Sequence, residues 1–258
     1  MSGGPKPKVA FFDFTSCEGC QLTVIDALQT YPELLDAVEI VEFREAMSEK
    51  SDRYYIAFIE GSCVRESDAA RLREIRERAA VVVALGACAH LGGVNAIRNL
   101  QELEDARQYV YGDKGHWFDN YDVKAISQVI DVDAVIPGCP IDRHEFVQVV
   151  RTLLQGREPK MPSYPVCIEC KLHENVCIFD RGGVCLGPIT RAGCHAICPA
   201  YGVGCDGCRG LIPFPKIDSL REVLAEHGLS NQDIDDKLSI FLTNQIAHLD
   251  LAEETYVS

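Results

Sequence analysis

The sequence predicts an α/β protein with a doubly wound parallel sheet, followed by a small, irregular region rich in cysteine. Two observations support this prediction. Short apolar segments alternate with helical patterns over about residues 9–154, as in a parallel sheet with connecting helices. Eight of the thirteen cysteines then fall within residues 167–208, among glycines, prolines and polar turns that have no apolar period long enough for a helix or strand.

Five segments have the composition of buried parallel strands. They are residues 9–14, 38–43, 54–59, 80–85 and 133–136. Helices with one apolar face are predicted after the first, third and fifth strands, and their apolar positions include Leu28, Leu72 and Val150. Because strands and helices alternate, the sheet is expected to be parallel and flavodoxin-like.

Composition excludes several classes of partner. The chain has 258 residues and a formal charge of −14, with no basic stripe, so neither nucleic acids nor anionic membrane surfaces are expected to bind it. The longest apolar run, residues 79–89, is too short to insert into a membrane. The first residues contain neither an apolar core run nor a twin arginine, so a cytoplasmic location is expected.

The cysteine-rich segment needs a cross-link, because it cannot fold by burying apolar surface. Disulfides require an oxidising compartment, so metal is the expected link. The eight cysteines form two sets of four: Cys167, Cys170, Cys177 and Cys185, then Cys194, Cys198, Cys205 and Cys208. Each set suits four-thiolate ligation of a [4Fe–4S] cluster or of Zn²⁺. The alternative function is therefore a zinc-stabilised interaction scaffold without a redox role.

The other five cysteines follow predicted strands. They are Cys17, Cys20, Cys63, Cys88 and Cys139. Ligands of a doubly wound sheet lie beyond the carboxyl ends of its strands, so these cysteines should meet at one edge, where four of them can hold a third cluster. Cys63 is predicted to be the spare one, because it has no second cysteine nearby. A flavin at this edge is disfavoured, because the first loop carries cysteines where a phosphate cradle needs Ser, Thr and Gly.

Five motifs occur in one order along the chain. They are SCEGCQL (16–22), IEGS (59–62), GACA (86–89), GCP (138–140) and CLGPITRAGCHAICPAYGVGCDGCRG (185–210). On these motifs, about residues 9–212 resemble the small subunit of [NiFe] hydrogenases, and look most like the delta subunit of cytoplasmic, NAD(P)-linked sulfhydrogenases. The resemblance implies an electron-transfer subunit that works between a NiFe large subunit and flavin or iron–sulfur subunits that react with NAD(P) or another acceptor. Since hydrogen splitting belongs to the large subunit in that family, no catalytic residue is expected here.

The resemblance also implies three [4Fe–4S] clusters. The proximal cluster would be held by Cys17, Cys20, Cys88 and Cys139. The distal cluster would be held by Cys167, Cys170, Cys177 and Cys185. The medial cluster would be held by Cys194, Cys198, Cys205 and Cys208. Periplasmic members of the family typically have a distal histidine ligand and a three-cysteine medial centre, whereas here Cys167 and Cys198 supply thiolates at those places, and His173 is a less favoured distal ligand.

Two domains are predicted on this basis. Residues 1–156 would form a flavodoxin-like domain that holds the proximal cluster. Residues 157–258 would form a cysteine-rich domain that holds the medial and distal clusters and ends in two helices, about residues 218–227 and 231–245. Ser230 and Asp233 are predicted to cap the second of these helices.

Four charged residues near the predicted clusters each allow two interpretations. Glu18 lies between two predicted proximal ligands and would be either a proton relay or an ordinary interface charge, and the same holds for Glu60. Arg191 and Arg209 flank the medial cysteines and would either favour the reduced cluster or be solvated surface charges.

A related subunit of respiratory quinone oxidoreductases shares the sheet and one cluster with the hydrogenase subunit. It resembles this chain less, because it has an adjacent Cys-Cys pair in place of Cys17-x2-Cys20 and lacks the eight-cysteine segment.

Overall fold

The computed structural model describes the backbone of residues 5–257 and the side chains of residues 5–249. Its strands are β1 (Lys8–Asp13), β2 (Glu39–Phe43), β3 (Ile56–Glu60), β4 (Val81–Leu85) and β5 (Ala134–Ile136). All neighbouring strands are parallel, in the order β2-β1-β3-β4-β5. This is the flavodoxin-like order, so the predicted sheet is confirmed, and each strand boundary lies within two residues of the predicted one.

Six helices of the described chain connect or cover the strands. They are α1 (Gly19–Thr30), α2 (Glu33–Ala37), α3 (Glu66–Arg78), α4 (Gly86–Leu91), α5 (Leu103–Tyr111) and α6 (Arg143–Leu154). Short 3-10 helices at Gly93–Leu100, Gly112–Trp117 and Ile126–Gln128 lie with α5 in a stretch for which the sequence predicts no element.

The sheet is buried on both faces, which explains why its strands are apolar without alternation. On one face, Phe11 stacks on Phe58 with ring centroids 4.9 Å apart, and α1 and α6 cover them, the latter with Phe146. On the other face, Phe12 and its neighbours pack against α3 through Leu72. Because helices cover both faces of the sheet, a site in this half can form at the segments that follow the carboxyl ends of the strands.

The strand register brings those carboxyl ends to one edge. Asp13 pairs with Glu60, Glu60 with Leu85, and Leu85 with Ile136. The chain therefore leaves β1, β3, β4 and β5 at nearly the same height.

The second half of the chain has little regular structure before its last two helices. Its helices are α7 (Val166–Leu172), a 3-10 turn at Phe179–Arg181, α8 (Ile197–Ala200), α9 (Ile217–Glu226) and α10 (Asn231–Val257). The two predicted C-terminal helices are confirmed, although α10 continues well beyond residue 245. Leu238 and Leu242 of α10 pack on Leu186 and Leu211, so this helix covers the cysteine-rich segment.

The predicted cap of α10 is confirmed as well. The Ser230 hydroxyl accepts a hydrogen bond from the Asp233 N–H at 3.2 Å, and Asp233 Oδ2 accepts one from the Ser230 N–H at 3.0 Å. Among the described residues, no helix is both long enough and apolar enough to cross a membrane.

Candidate metal centres

Four cysteines meet at the carboxyl edge of the sheet, and we call them the proximal set: Cys17, Cys20, Cys88 and Cys139. Cys17 precedes α1 and Cys139 follows β5, as predicted, but Cys20 lies in the first turn of α1 and Cys88 within α4, not in loops. Burial, together with the neighbouring thiols of Cys139 and Cys17, raises the pKa of Cys88 to about 12. Thiols so placed become thiolates readily only when a bound cation stabilises them.

Two glycines let the backbone approach these sulfurs. Gly86 and Gly138 both have positive φ, 83° and 135°. A Cβ on Gly86 would overlap the Cys20 sulfur, and one on Gly138 would lie 2.6 Å from the Pro140 carbonyl oxygen. Glycine is therefore required at both positions by the close packing around the proximal set.

Glu60 holds the helix that carries Cys20. It is the last residue of β3 and is 2% exposed. Its carboxylate accepts the N–H groups of Cys20 at 3.0 Å and of Gln21 at 2.9 Å, which are unpaired donors of the first helical turn. Both oxygens of Glu60 are thus occupied by backbone donors.

Glu18 is placed differently. It has a left-handed backbone, with φ 63°, and its carboxylate lies 3.6 Å from Arg44 Nη2 at the partly exposed edge of the site. Partial burial and the neighbouring Glu45 raise its pKa. The proton-relay role stays a prediction for both glutamates.

The fifth cysteine of this half lies apart from the proximal set. Cys63 is buried in the core between the sheet and α3, with its sulfur 3.0 Å from the Tyr121 hydroxyl and 3.8 Å from the Arg65 carbonyl oxygen. These contacts are those of a small core residue. That Cys63 is the spare cysteine stays a prediction.

The distal set consists of Cys167, Cys170, Cys177 and Cys185. Cys167 and Cys170 lie one turn apart on α7. Burial raises the pKa of Cys167 to about 11, with smaller contributions from the thiols of Cys185, Cys170 and Cys177. Cys177 is exposed, so this set reaches the surface. His173 is also exposed, at the end of α7, with its ring centroid 6.1 Å from that of His195.

The medial set lines one cavity. Its members are Cys194, Cys198, Cys205 and Cys208, and the cavity has a volume of about 300 Å³. The lining also includes Pro140 and Ile141 from the sheet half, Phe241 from α10, and the charged side chains of Asp142, Asp206 and Arg209. Among residues 5–249, no three His, Cys, Asp or Glu side chains are close enough to hold a single metal ion. The medial thiols instead surround a larger space, and four thiols around one cavity fit an iron–sulfur cluster.

The medial set lies between the other two. Cys139 of the proximal set lines the medial cavity, and its backbone acts to lower the pKa of the Cys208 thiol, which burial raises. On the other side, the N–H of Cys205 donates to the Cys185 sulfur of the distal set at 3.2 Å. The three sets therefore follow one another from the sheet edge to the surface.

The interpretation of Arg209 as a solvated charge is wrong. This side chain is 1% exposed and binds Glu145 through two hydrogen bonds of 2.8 and 2.7 Å. Arg191 is half-buried and donates to the carbonyl oxygens of Pro162 at 2.6 Å and Leu211 at 3.0 Å.

Glu169, which is not predicted from the sequence, is a buried carboxylate that lies 3.9 Å from the Cys194 sulfur. In the sequence, Glu169 is distinguished only by being a charged residue between two predicted ligands, Cys167 and Cys170.

Comparison with known proteins places the chain in a family. Residues 17–153 match the family described as NADH ubiquinone oxidoreductase, 20 kDa subunit. The chain is 37% identical to sulfhydrogenase 2 subunit delta of Pyrococcus furiosus, over 91% of this chain and 98% of the relative. It is 33% identical to a subunit of the F420-non-reducing hydrogenase vhu of Methanocaldococcus jannaschii, over 90% and 92%. Its likeness to NAD-reducing hydrogenase HoxS subunit delta of Cupriavidus necator, at 31% identity, covers 61% of this chain and 83% of the relative.

Solved structures agree with this. A chain of an NAD⁺-reducing [NiFe]-hydrogenase in the H2-reduced state aligns with a TM-score of 0.54 and 27% identity, over 61% of this chain and 96% of that one. A chain of the [NiFeSe] hydrogenase of Desulfovibrio vulgaris Hildenborough aligns with a TM-score of 0.55 over 83% and 96%; at 19% identity it shows the fold alone.

The matched family carries the name of a respiratory subunit, but it covers the sheet half only. The relatives that extend over the cysteine-rich half are hydrogenase subunits. The resemblance seen in the five motifs is therefore confirmed: the chain belongs to the NADH ubiquinone oxidoreductase 20 kDa subunit family and, within it, to the small subunits of hydrogenases.

Proposed function

We propose that this chain is the electron-transfer subunit of a soluble [NiFe] hydrogenase, working through three [4Fe–4S] clusters held by the proximal, medial and distal sets. The observation that carries the proposal is the order of the three sets, with the medial cysteines between the other two. When bound, such clusters supply reversible one-electron transfer at low potential.

The residues of this chain would each contribute to that task. The twelve cysteines bind iron, and the buried side chain of Ile141 limits the access of water to the medial set from the sheet half. Backbone N–H groups near the sulfurs, such as those of Gly187 and Cys205 on Cys185, stabilise thiolate charge.

The two ends of the series would contact different partners. The sheet edge with the proximal set would face a NiFe large subunit, and the exposed distal set would face a flavin or iron–sulfur subunit that reacts with NAD(P) or another acceptor. The division into residues 1–156 and 157–258 belongs to this proposal, as does a proton relay at Glu18. Unchanged hydrogen-dependent dye reduction in a Glu18→Gln variant would remove the relay.

Metal analysis of the complex purified from its host without oxygen tests the proposal. We expect at least twelve iron and twelve sulfide per copy of this chain, because the partner subunits add their own metal, together with a brown colour and copurification of a nickel-containing large chain and a flavoprotein. Colourless protein with zinc at the four-thiolate sites and no iron would instead establish the scaffold.

A further inference from the structure

The loop that carries Cys194 has an unusual backbone. Gly193, His195 and Ala196 all have positive φ, at 114°, 57° and 50°. For residues other than glycine, this conformation is strained and persists only where the surroundings fix it. The position of the Cys194 sulfur therefore depends on the groups that hold this loop.

Glu169 holds it. Its Oε1 accepts the Gly193 N–H at 2.8 Å and its Oε2 accepts the Ala196 N–H at 3.1 Å, so the carboxylate spans the loop on both sides of Cys194. Glu169 belongs to α7, which also carries Cys167 and Cys170 of the distal set. One side chain thus joins the distal helix to the medial loop.

The same carboxylate brings charge to the medial set. Glu169 is 6% exposed and its Oε2 lies 3.9 Å from the Cys194 sulfur. Arg209, a buried cation that also acts on Cys194, has both of its Nη atoms bound to Glu145. Lys160 lines a cavity of about 270 Å³ next to Glu169, but no ion pair to Glu169 is found among residues 5–249.

We propose that Glu169 is a positioning residue of the medial site, which fixes the Cys194 loop and lowers the reduction potential of the medial centre through its negative charge. Reduction adds an electron, so a nearby fixed negative charge disfavours it, and the effect is strong where water is excluded. The inference rests on the proposed function, since it requires a redox centre at the medial set.

A redox titration of the oxygen-free complex, followed by electron paramagnetic resonance, tests this. Glu169→Gln nearly keeps the shape of the side chain and removes the charge, but its amide nitrogen cannot accept the second of the two backbone N–H groups that Glu169 binds. We expect the variant to make reduction about tenfold more favourable at one of the three one-electron steps that belong to the clusters of this chain, which is about 59 mV for one electron. Glu169→Asp keeps the charge and should stay within about twofold of the native chain.

Two further variants make the result specific. Glu222→Gln removes the same charge from the exposed side of α9 and should leave all three steps unchanged. Cys177→Ser replaces a predicted distal ligand and therefore alters the reduction step of the distal centre. When it is combined with Glu169→Gln, the distal step is identified by this change, so that the step shifted by Glu169→Gln can be assigned to the medial centre.

Several outcomes would overturn the inference. They are an unshifted medial step in Glu169→Gln, a shift confined to the distal step, and the same shift in Glu169→Asp as in Glu169→Gln. If Glu169→Gln does not assemble the medial centre, Glu169→Asp decides alone: a native potential supports the inference and a raised one rejects it. Native protein without iron would reject the proposed function itself, which separates the two failures.

Discussion

Arg209 and Glu145 form a two-point ion pair in the interior, with the guanidinium 1% and the carboxylate 15% exposed. Arg209 also donates to the carbonyl oxygens of Ala192 and Pro137, at 2.8 Å each. Glu145 belongs to α6 of the sheet half and Arg209 follows Cys208 of the medial set, so the pair fixes the two halves of the chain to each other beside the predicted clusters.

Glu145→Ala should lower the free energy of unfolding by about 3–5 kcal/mol, because it leaves a buried guanidinium without its counter-charge. Denaturant unfolding measures this. Glu33→Ala, which breaks the exposed 2.9 Å pair with Arg151, is the matched control and should cost about 1 kcal/mol or less. Equal losses in the two variants would show that the buried pair has no special importance.

Replacing single cysteines should separate ligands from the spare one. Cys88→Ala removes a predicted proximal ligand, so iron and sulfide per chain should fall and the proximal spectroscopic signal should be lost or altered. Cys63→Ala should keep the full iron content and lose only about 1–2 kcal/mol of stability, the cost of a small core cavity. Iron loss in Cys63→Ala with none in Cys88→Ala would reverse the assignment.

Gly86→Ala should impair the proximal centre specifically. The new methyl group would overlap the Cys20 sulfur, so iron content should fall. Gly156 also has a positive φ, 67°, but has open space around its Cβ position. Gly156→Ala should therefore cost only the backbone strain, about 1–2 kcal/mol, and keep its iron, as metal analysis and unfolding curves of both variants would show.

The buried phenol of Tyr54 should make stability fall in alkaline solution. Burial raises its pKa, while Arg78 opposes the shift. Below pH 10, about the pKa of tyrosine in the unfolded chain, the protonated phenol of Tyr54 contributes fully to stability. As the pH rises from there through the higher pKa of the folded chain, the unfolded chain loses the proton first. The free energy of unfolding then falls by up to about 1.4 kcal/mol per pH unit.

Unfolding curves of the native chain and of Tyr54→Phe between pH 8 and 11 check this, because the variant should lose less stability with pH. The exposed neighbour provides the control: Tyr55→Phe should lose as much as the native chain. Identical pH dependence in Tyr54→Phe and the native chain would contradict the prediction.

The sheet could be predicted because its central strands carry their own signal. Segments such as Val81–Leu85 are apolar on both faces only where helices cover both sides. The stretch after α4 could not be predicted, because its conformation depends on distant contacts. Asn99, for example, binds the N–H of Val123 at 2.8 Å and the side chain of Asn244 at 3.0 Å.

The meeting of the proximal cysteines could be predicted for a similar reason, since parallel strands bring their carboxyl ends together wherever the chain places them. The polar groups around the sulfurs could not. Arg209 and Glu145 are 64 residues apart, and Glu169 lies 24 residues before the N–H of Gly193 that it binds. A glutamate has no local pattern that separates such a buried role from a surface one.

The last helix has a consequence for limited proteolysis. Asn244 of α10 binds the first half of the chain, through the side chain of Asn99 and the Val123 carbonyl oxygen. Two neighbours of Asn244 contact the second half: Leu242 lies next to Gly207, and the side-chain oxygen of Gln245 accepts the Leu211 N–H. A protease cut in the proline-rich connection between α6 and α7 would therefore leave two fragments that remain associated and elute as one particle until a denaturant separates them.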